Sequence, residues 1–280
     1  MTAAAPVALR DEDGAVREDY VERVAQAIAD GDSAALRELV GDLHEADVGD
    51  LIEALDPDLR PGLIKLMGHD FDFSALTEVD DTVREEILEE LPAETVAEGV
   101  RELDSDDAVY ILEDLPKEDR AEILEQMSPS DRVALAQRLD YPEESAGRRM
   151  QTEFIAVPPS WTVGQAIDYM RETEDLPERF YELYVIDPAA KLLGAVPLDR
   201  LARTKRPVPV SELMEGERHV VRATEDQEEV ARRFERYNLV AAPVVDAQDR
   251  MVGVITFDDI VDVIEQEAEE DIKALGGVKG

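Results

Sequence analysis

The chain has 280 residues, of which 68 are Asp or Glu and 29 are Lys or Arg, so its formal net charge is −39. A field this negative argues against binding to nucleic acid or to an anionic membrane surface, because both are polyanions. The length indicates about two domains, and a hydrophobic content of 44% is enough for a core in each.

The composition also limits the metal chemistry of the chain. It contains no cysteine, which excludes disulfides and thiolate ligands and fits an intracellular location. The three histidines, His44, His69 and His219, have no ligand spacing, so a zinc site is not expected. No stretch reaches the ~20 apolar residues that span a bilayer, so this chain by itself is not expected to form a pore.

The N-terminal half is predicted to be a superhelix of short helices. Residues 1–19 are expected to be flexible, and within residues 20–140 apolar residues recur every twelve positions. The recurring residues are Leu43, Leu55, Met67, Val79, Leu91, Leu103, Leu115, Met127 and Leu139. Pro92, Pro116 and Pro129 follow these apolar groups, where proline can open a new helix but cannot continue the old one. Helices of about two turns must stack to bury a core, and a period of twelve rather than seven excludes one long coiled coil.

Near residue 150 the pattern changes to strands that alternate with helices, and this pattern occurs twice. Residues 157–170 match residues 221–234, and residues 184–201 match residues 243–260. Each copy is predicted to contribute about three strands, so the two copies must pack face to face to complete a core.

The predicted fold class is therefore α+β with several domains, an all-α superhelix followed by a tandem α/β module. The boundaries predicted for the second half are 141–208 for the first copy with its lead-in, 209–267 for the second copy, and 268–280 for an acidic tail.

The most acidic segment is residues 258–271, which contain eight carboxylates and no basic residue. Like charges three or four residues apart on a helix cost a few tenths of a kcal/mol per pair. A chain that keeps such a helix either tolerates this cost in a saline cytosol or offsets it with bound cations. The basic residues, 23 Arg and only 6 Lys, fit the saline cytosol, in which case the segment is simply a solvated acidic helix.

Motifs in the second half resemble a tandem CBS module. The segment Gly253-Val-Ile-Thr256-Phe-Asp-Asp259 fits that superfamily's glycine–hydrophobic–x–Ser/Thr–x–x–Asp signature for adenosine ribose and phosphate. Together with residues 141–150, the acidic tail and the helical repeats, it resembles the cytosolic part of MgtE-type magnesium channels over residues 20–278. That family continues into a membrane pore, so we expect this chain to be part of a longer protein or one half of a split system.

The resemblance implies a cytosolic Mg²⁺-sensing regulatory domain of a magnesium channel or transporter. In that family Mg²⁺ bridges acidic surfaces and holds the pore closed, and hard oxygen ligands suit Mg²⁺. The metal ligands implied here are Asp106, Asp107, Asp226, Glu228, Asp259, Asp262, Glu267, Glu270 and Asp271. The nucleotide signature adds Thr256 and Asp259 as a site for adenosine or ATP.

The resemblance also implies the partners and the location. We expect a homodimer through the CBS pair, a membrane pore domain on the same full-length chain or on a separate subunit, and no nucleic acid. The location is cytoplasmic, at the inner face of the cell membrane if a pore domain is attached. No arrangement of catalytic residues and no phosphate loop stands out, so an enzyme is not expected.

Five positions depart from the family pattern. Asn238, Tyr110 and Ser74 stand where acidic residues are expected, so bridging sites are weakened or moved, with Asp104, Asp107, Glu113 and Asp114 as candidates. In the first CBS copy, Pro197 and Arg200 replace the hydroxyl and the aspartate of the signature, which predicts a half-site unable to bind adenosine.

Two alternatives remain open for the acidic residues. Asp106 and Asp107 precede or open a short helix, where an aspartate is an ordinary N-cap. Asp259 could cap the final helix instead of binding a ligand. For the whole chain, the alternatives are an adenine-nucleotide-sensing CBS regulator of a soluble partner, and a salt-adapted scaffold.

Overall fold

A computed structural model describes residues 8–216 and 219–276. The chain divides into two units, which are described separately. The first comprises Met1–Leu103 and Tyr110–Ala134, and the second comprises Asp104–Val109 and Leu135–Gly280.

The first unit is built from short α-helices, joined in places by short 3₁₀ helices. Its helices are α1 (Glu18–Ala29), α2 (Ser33–Val40), α3 (Glu45–Ala54), α4 (Arg60–Met67), α5 (Asp81–Glu90), α6 (Ala93–Arg101) and α8 (Lys117–Glu125), with parts of α7 (Ser105–Leu112) and α9 (Pro129–Leu139). The division between the units falls within α7 and α9.

Polar caps and prolines explain where these helices begin. The Asp32 carboxylate accepts a hydrogen bond from the Ala35 amide at 3.0 Å, which satisfies one of the amides left free at the start of α2. Pro92 and Pro116 directly precede α6 and α8, and Pro129 is the first residue of α9. The prediction that these prolines open new helices is confirmed.

Most of the apolar residues that recur every twelve positions form the core of the first unit. Those buried are Leu55, Met67, Val79, Leu91, Leu115 and Met127. Leu55 and Leu91 are the C-cap residues of α3 and α5, so at these two positions the repeat marks the end of a helix. The repeat therefore serves packing, as predicted.

The second unit contains two three-stranded sheets with helices between their strands. The strands are β1 (Ala156–Val157), β2 (Glu182–Ile186), β3 (Leu192–Pro197), β4 (Val221–Arg222), β5 (Ala241–Val245) and β6 (Met251–Thr256). The helices are α10 (Ala146–Arg149), α11 (Val163–Glu172), α12 (Leu198–Ala202), α13 (Val210–Leu213), α14 (Gln227–Tyr237) and α15 (Phe257–Gly276).

The two sheets have the same topology, which confirms the predicted repeat and fold class. They run in the orders β1-β2-β3 and β4-β5-β6, the first pair parallel and the second antiparallel. Buried residues from both sheets, Tyr184, Ala195, Met251 and Val254, meet in one apolar cluster. The two copies thus pack together, as short sheets require.

A glycine at the same register position in each copy lets another backbone segment pass close by. A Cβ atom on Gly253 would lie 2.6 Å from the Met150 Sδ and 2.7 Å from the Gln151 carbonyl, and one on Gly194 would lie 2.6 Å from the Glu215 carbonyl. Gln151 pairs with Val254 of β6 through hydrogen bonds of 2.8 and 2.9 Å. The signature glycine therefore fixes the segment around Gln151 against β6.

Candidate functional site

The candidate site in the second unit begins where β6 ends and α15 starts. Asp259 lies in the first turn of α15, and its Oδ2 accepts hydrogen bonds from the Thr256 amide at 3.1 Å and the Thr256 hydroxyl at 3.2 Å. A carboxylate in this position satisfies a free helix amide and interacts favourably with the helix dipole. Asp259 therefore caps α15, which was one of the alternatives left open by the sequence.

Asp259 is also paired with a second carboxylate, that of Asp106 in the first turn of α7. Burial raises the pKa of Asp259 well above its ordinary value, and the neighbouring Asp106 raises it further. Burial likewise raises the pKa of Asp106, although the hydrogen bond that it receives from Asp259 lowers it. Because two buried carboxylates in contact resist ionising together, the pair favours a state with one shared proton.

The arrangement around Asp106 leaves one oxygen without a partner. Its Oδ1 is buried and has no hydrogen-bond partner in the part of the chain that the structure describes. A buried, unpaired carboxylate oxygen is costly, and its cost is removed by a proton or by a cation. Helix α7 begins at Ser105, so Asp106 and Asp107 lie inside the helix and neither of them is its N-cap.

These two carboxylates fit Mg²⁺ rather than a metal that requires a full protein cage. Over residues 8–216 and 219–276, no group of three or more His, Asp or Glu side chains is placed to hold a metal ion. Mg²⁺ usually keeps several waters and binds through one or two carboxylates, so the pair of Asp106 and Asp259 suffices. The unpaired Oδ1 of Asp106 is the oxygen of this pair that could hold such a cation.

A network around Ser105 joins α7 to the segment that lies along β6. The Ser105 hydroxyl donates to the Glu153 Oε2 at 2.9 Å and accepts from the Thr152 amide at 2.9 Å. It also accepts from the Arg138 Nη1 at 3.0 Å. This network places the Glu153 carboxylate close enough to Asp106 to raise the pKa of Asp106.

Asp104 adds a further acidic group beside the pair. Partial burial, followed by the carboxylates of Asp106, Glu153 and Glu178, raises the pKa of Asp104 to about 6. The sequence proposed Asp104 as a place to which a displaced bridging site could move. The structure places it next to Asp106, where its charge increases the negative potential of the site.

The other predicted metal ligands are distributed more widely. Asp107 lies close enough to Asp259 to raise the pKa of Asp259. Asp226 caps α14 by accepting from the Glu228 amide at 2.9 Å, and the Glu228 carboxylate pairs with Arg232 at 2.5 Å. The carboxylates of Asp226 and Glu228 are therefore already bound at the start of α14, to a helix amide and to Arg232 respectively.

The remaining predicted ligands lie further along α15. Asp262 is exposed, and Glu267 accepts a hydrogen bond of 3.4 Å from the Gln227 side chain on α14. The side chains of Glu270 and Asp271 lie outside the described residues.

The two predicted nucleotide residues are in contact, because the Thr256 hydroxyl donates to the Asp259 Oδ2 at 3.2 Å. Thr256 also lines a shallow, open cleft whose wall includes Phe154, Arg179 and Tyr184, whereas Asp259 contacts Thr256 and Asp106. In the first copy, Arg200 donates to Glu215 at 2.6 Å, so a guanidinium in an ion pair occupies the position of the signature aspartate.

The sequence reasoning missed the buried arginines, among them Arg84 and Arg138. In the first unit, Arg84 is 1% exposed and pairs with Asp81 at 2.7 Å and Asp114 at 3.3 Å. Its guanidinium also lies 4.6 Å from the centroid of the Tyr110 ring, which explains why an aromatic residue suits that position. The signal in the sequence was an arginine three residues after Asp81 on the apolar face of a helix.

Another missed arginine is Arg138, in the second unit. It is 5% exposed and donates to the carbonyls of Gly147 and Met150 as well as to Ser105. Burial lowers the pKa of the Arg138 guanidinium, while Asp106, Glu153 and Asp259 raise it. Its place beside the acidic pair had no signal in the sequence, because Arg138 and Asp259 are far apart along the chain.

Within the described residues, no helix combines the length and the apolar character that crossing a membrane requires.

Comparison with known proteins supports the fold and the resemblance. Residues 43–144 match the MgtE intracellular N domain, and residues 146–206 and 210–266 match the CBS domain. Among solved structures, the chain is similar to the cytosolic domain of the Mg²⁺ channel MgtE in complex with ATP, with 30% identity and a TM-score of 0.78. The match covers 87% of this chain and 99% of that one.

Two curated proteins named magnesium transporter MgtE are also similar. The one from Thermus thermophilus is 39% identical over 138 residues, which are 49% of this chain and 31% of the relative. The one from Bacillus subtilis is 29% identical over 254 residues, which are 91% of this chain and 56% of the relative. The chain therefore spans between about a third and just over half of the length of these curated relatives.

Proposed function

The chain belongs to the MgtE family, as a cytosolic region with an N domain and a CBS pair, and from this premise we propose that it senses Mg²⁺ for a magnesium channel or transporter. In this proposal Mg²⁺ bridges acidic surfaces and the bridged form closes the pore. The role is regulatory, in keeping with a family of transporters rather than of enzymes.

The observation that carries the proposal is the pair of Asp106 and Asp259. Two carboxylates that share a proton and leave one buried oxygen unpaired are better satisfied by a divalent cation, provided that the cation is present at sufficient concentration. Mg²⁺ would then tie α7 to the start of α15. When Mg²⁺ is depleted, the two carboxylates must either take up a proton or separate, because two ionised carboxylates in contact repel each other.

Mg²⁺ binding requires that the pair lose its shared proton. Binding should therefore release protons, and the affinity should rise with pH. Arg138, Ser105 and Glu153 hold the surrounding segments in place, so the pair does not have to assemble at the moment of binding.

The direct test compares MgCl₂ with NaCl at equal ionic strength, because simple screening also relieves repulsion between carboxylates. A ligand that binds only the folded chain stabilises it by about 2.7 kcal/mol at a hundredfold excess over Kd. We expect millimolar MgCl₂ to raise the Tm and the protease resistance more than NaCl does. Identical responses to the two salts would remove the main support for the proposal.

The acids along α15 remain proposed ligands in the same sensor. The double variant Glu267→Gln with Glu270→Gln removes two like charges from one helix, so it should be more stable than the parent without Mg²⁺ and should gain less when Mg²⁺ is added. A double variant whose gain from Mg²⁺ equals that of the parent would restrict the sensor to Asp106 and Asp259.

We further propose that the chain acts as a homodimer through its CBS pair, at the cytoplasmic face of the membrane beside a pore domain. A sensor for a dimeric pore must itself be two-fold symmetric. Light scattering at tens of micromolar, with and without Mg²⁺, tests this, and a monomer under both conditions would contradict it.

A second candidate function is adenine-nucleotide sensing. It is favoured by the cleft beside Thr256 and by the similarity to a cytosolic domain in complex with ATP. Because Arg200 and Pro197 replace the signature residues of the first copy, we expect at most one weakly bound nucleotide per chain. Calorimetry that shows tight ATP binding, together with a Mg²⁺ response that Asp259→Asn leaves unchanged, would rank this function first.

A further inference from the structure

We propose that Arg138 is a built-in counter-cation that sets the Mg²⁺ affinity of the site formed by Asp106 and Asp259. The inference rests on the proposed Mg²⁺-sensing function and adds to it the residue that determines at what Mg²⁺ concentration the site fills. In this role Arg138 is a positioning residue and not a ligand.

The geometry holds the Arg138 guanidinium in one place. Its Nε donates to the Gly147 carbonyl at 3.1 Å, its Nη1 donates to the Ser105 hydroxyl at 3.0 Å, and its Nη2 donates to the Met150 carbonyl. The residue is 5% exposed, so its charge is poorly screened by water. A planar fork bound at all three nitrogens cannot swing away when another cation arrives.

The positive charge of Arg138 acts on the carboxylates of the proposed site. The three carboxylates on which it acts are Asp106, Glu153 and Asp259. It reaches Glu153 through a single intervening hydroxyl, because Ser105 accepts from Arg138 and donates to the Glu153 Oε2 at 2.9 Å. Because Arg138 lies close to these carboxylates and the site is poorly solvated, its positive charge attracts the carboxylates and repels any cation that enters the site.

The charge balance gives the direction of the effect. Among the three carboxylates on which Arg138 acts, when all are ionised, one guanidinium leaves about two negative charges, which a single Mg²⁺ neutralises; Asp104 and Asp107 add the same charge with or without Arg138. Without Arg138 one negative charge would remain after Mg²⁺ binds, so the site would hold the ion more tightly. Arg138 also reduces repulsion between the carboxylates when Mg²⁺ is absent, and so lowers the stabilisation that Mg²⁺ can add.

The test measures Mg²⁺ affinity by titration calorimetry on the whole chain for Arg138→Gln and Arg138→Lys. Arg138→Gln removes the charge and should lower the Mg²⁺ Kd about tenfold. Arg138→Lys keeps the charge but loses the fork, so its Kd should stay within about threefold of the parent. Both variants should be less stable than the parent without Mg²⁺, and only Arg138→Gln should gain more Tm from Mg²⁺.

Arg60 supplies a matched control in the first unit. It is 9% exposed and its guanidinium also donates to carbonyls, those of Ile52 at 3.0 Å and Glu53 at 3.2 Å. Arg60→Gln should lower the stability without changing the Mg²⁺ Kd. If Arg60→Gln tightens Mg²⁺ binding as much as Arg138→Gln does, the effect belongs to general destabilisation and the inference is wrong.

Asp259→Asn separates a failure of this inference from a failure of the proposed function. In one outcome, the parent binds Mg²⁺ and Asp259→Asn abolishes this binding, which supports the proposed sensor function. An unchanged or higher Mg²⁺ Kd in Arg138→Gln then contradicts only the role of Arg138. If Asp259→Asn keeps both the Mg²⁺ Kd and the number of bound Mg²⁺ ions of the parent, the proposed site is wrong and the inference fails with it.

Arg138→Gln could also fail to fold, since it loses three hydrogen bonds. Folding that is restored by MgCl₂ but not by NaCl of equal ionic strength supports the inference, because a cation then replaces the lost charge. A variant that stays unfolded in both salts shows that Mg²⁺ cannot take over the role of Arg138, and overturns it.

Discussion

The carboxylate of Asp259 accepts two hydrogen bonds from Thr256, one from the backbone amide at 3.1 Å and one from the hydroxyl at 3.2 Å. In the CBS signature these are the two side chains expected to bind adenosine, yet here they bind each other at the start of α15. The second oxygen of Asp259 is then free to meet Asp106. This geometry favours a carboxylate pair for a cation over a ribose site.

Asp259→Asn should abolish the Mg²⁺ response and stabilise the metal-free chain. The amide keeps the shape of the side chain and can still accept from the Thr256 amide, and it cannot ionise beside Asp106. We expect the free energy of unfolding without Mg²⁺ to rise by about 1 kcal/mol, measured by urea denaturation.

Asp258→Asn is the matched control for this substitution. Asp258 is the preceding residue, lies in the same first turn of α15 and is exposed. The substitution Asp258→Asn removes the same formal charge as Asp259→Asn, but at an exposed position. It should therefore change the free energy of unfolding by no more than about 0.5 kcal/mol and should leave the Mg²⁺ response intact. Equal loss of the response in both variants would assign the effect to the overall charge of the helix.

Much of the fold could be predicted because local sequence patterns determine where its helices and strands begin and end. The twelve-residue recurrence of residues such as Leu91 reports where helices end, and the prolines report where the next ones begin. The strand pattern that occurs twice in the second half predicted both sheets. The pairing of Asp106 with Asp259 was only half predictable, since the residue types indicated metal ligands but a sequence does not show which carboxylates meet.

The buried arginines could not be predicted, for a physical reason. Arginine is rarely buried unless it is paired, so its expected place is the surface. Arg84 and Arg138 are buried because tertiary contacts supply their acceptors, and most of those acceptors are carbonyls and carboxylates from other segments.

The stability of the metal-free chain should depend on pH through the site. The pKa of Asp104 is raised from 3.8 to about 6, and burial raises the pKa of Asp259 well above its ordinary value of 3.8. Each group therefore holds its proton more tightly in the folded chain than in the unfolded one. Stability is fully retained below the unfolded pKa and is lost as the pH rises towards the folded pKa.

The measurement is the Tm of the parent and of Asp259→Asn from about pH 4 to pH 8 without Mg²⁺, because the difference between the two cancels the self-repulsion of the rest of the chain. The Tm of the parent should fall more steeply with rising pH. Parallel curves would show that Asp259 titrates normally. With Mg²⁺ present, the difference in slope should shrink, since the metal replaces the proton.

Arg84→Met should destabilise the first unit without affecting Mg²⁺. It removes the cation between Asp81 and Asp114 and its contact with Tyr110, leaving two acids that are each about half exposed and can be partly hydrated. We expect a loss of about 2 kcal/mol, below the 3–5 typical of a fully buried pair.

Arg101→Met is the control for Arg84→Met. Arg101 is exposed and its pair with Glu102 spans 3.7 Å, so its removal should cost less than about 0.5 kcal/mol by urea denaturation. A similar loss in both variants would mean that the Arg84 cluster contributes nothing beyond an ordinary surface charge.

Gly253→Ala should weaken both the fold and the proposed Mg²⁺ site. Its new Cβ would lie 2.6 Å from the Met150 Sδ and 2.7 Å from the Gln151 carbonyl, so this segment must move away from β6 at a cost of about 1–3 kcal/mol. The Met150 carbonyl accepts from Arg138, so the shift disturbs the groups that hold the acidic pair.

Urea denaturation and Mg²⁺ calorimetry on Gly253→Ala check these two effects together, with Gly216→Ala as the control. A Cβ on Gly216 meets no atom within 4 Å, so that substitution should be close to neutral for both measurements. If Gly253→Ala loses stability but keeps the parental Mg²⁺ Kd, the segment around Met150 supports the fold alone. A combined loss, with a Kd weakened about tenfold, would show that the signature glycine, which leaves room for Met150 and Gln151 against β6, also preserves the metal site.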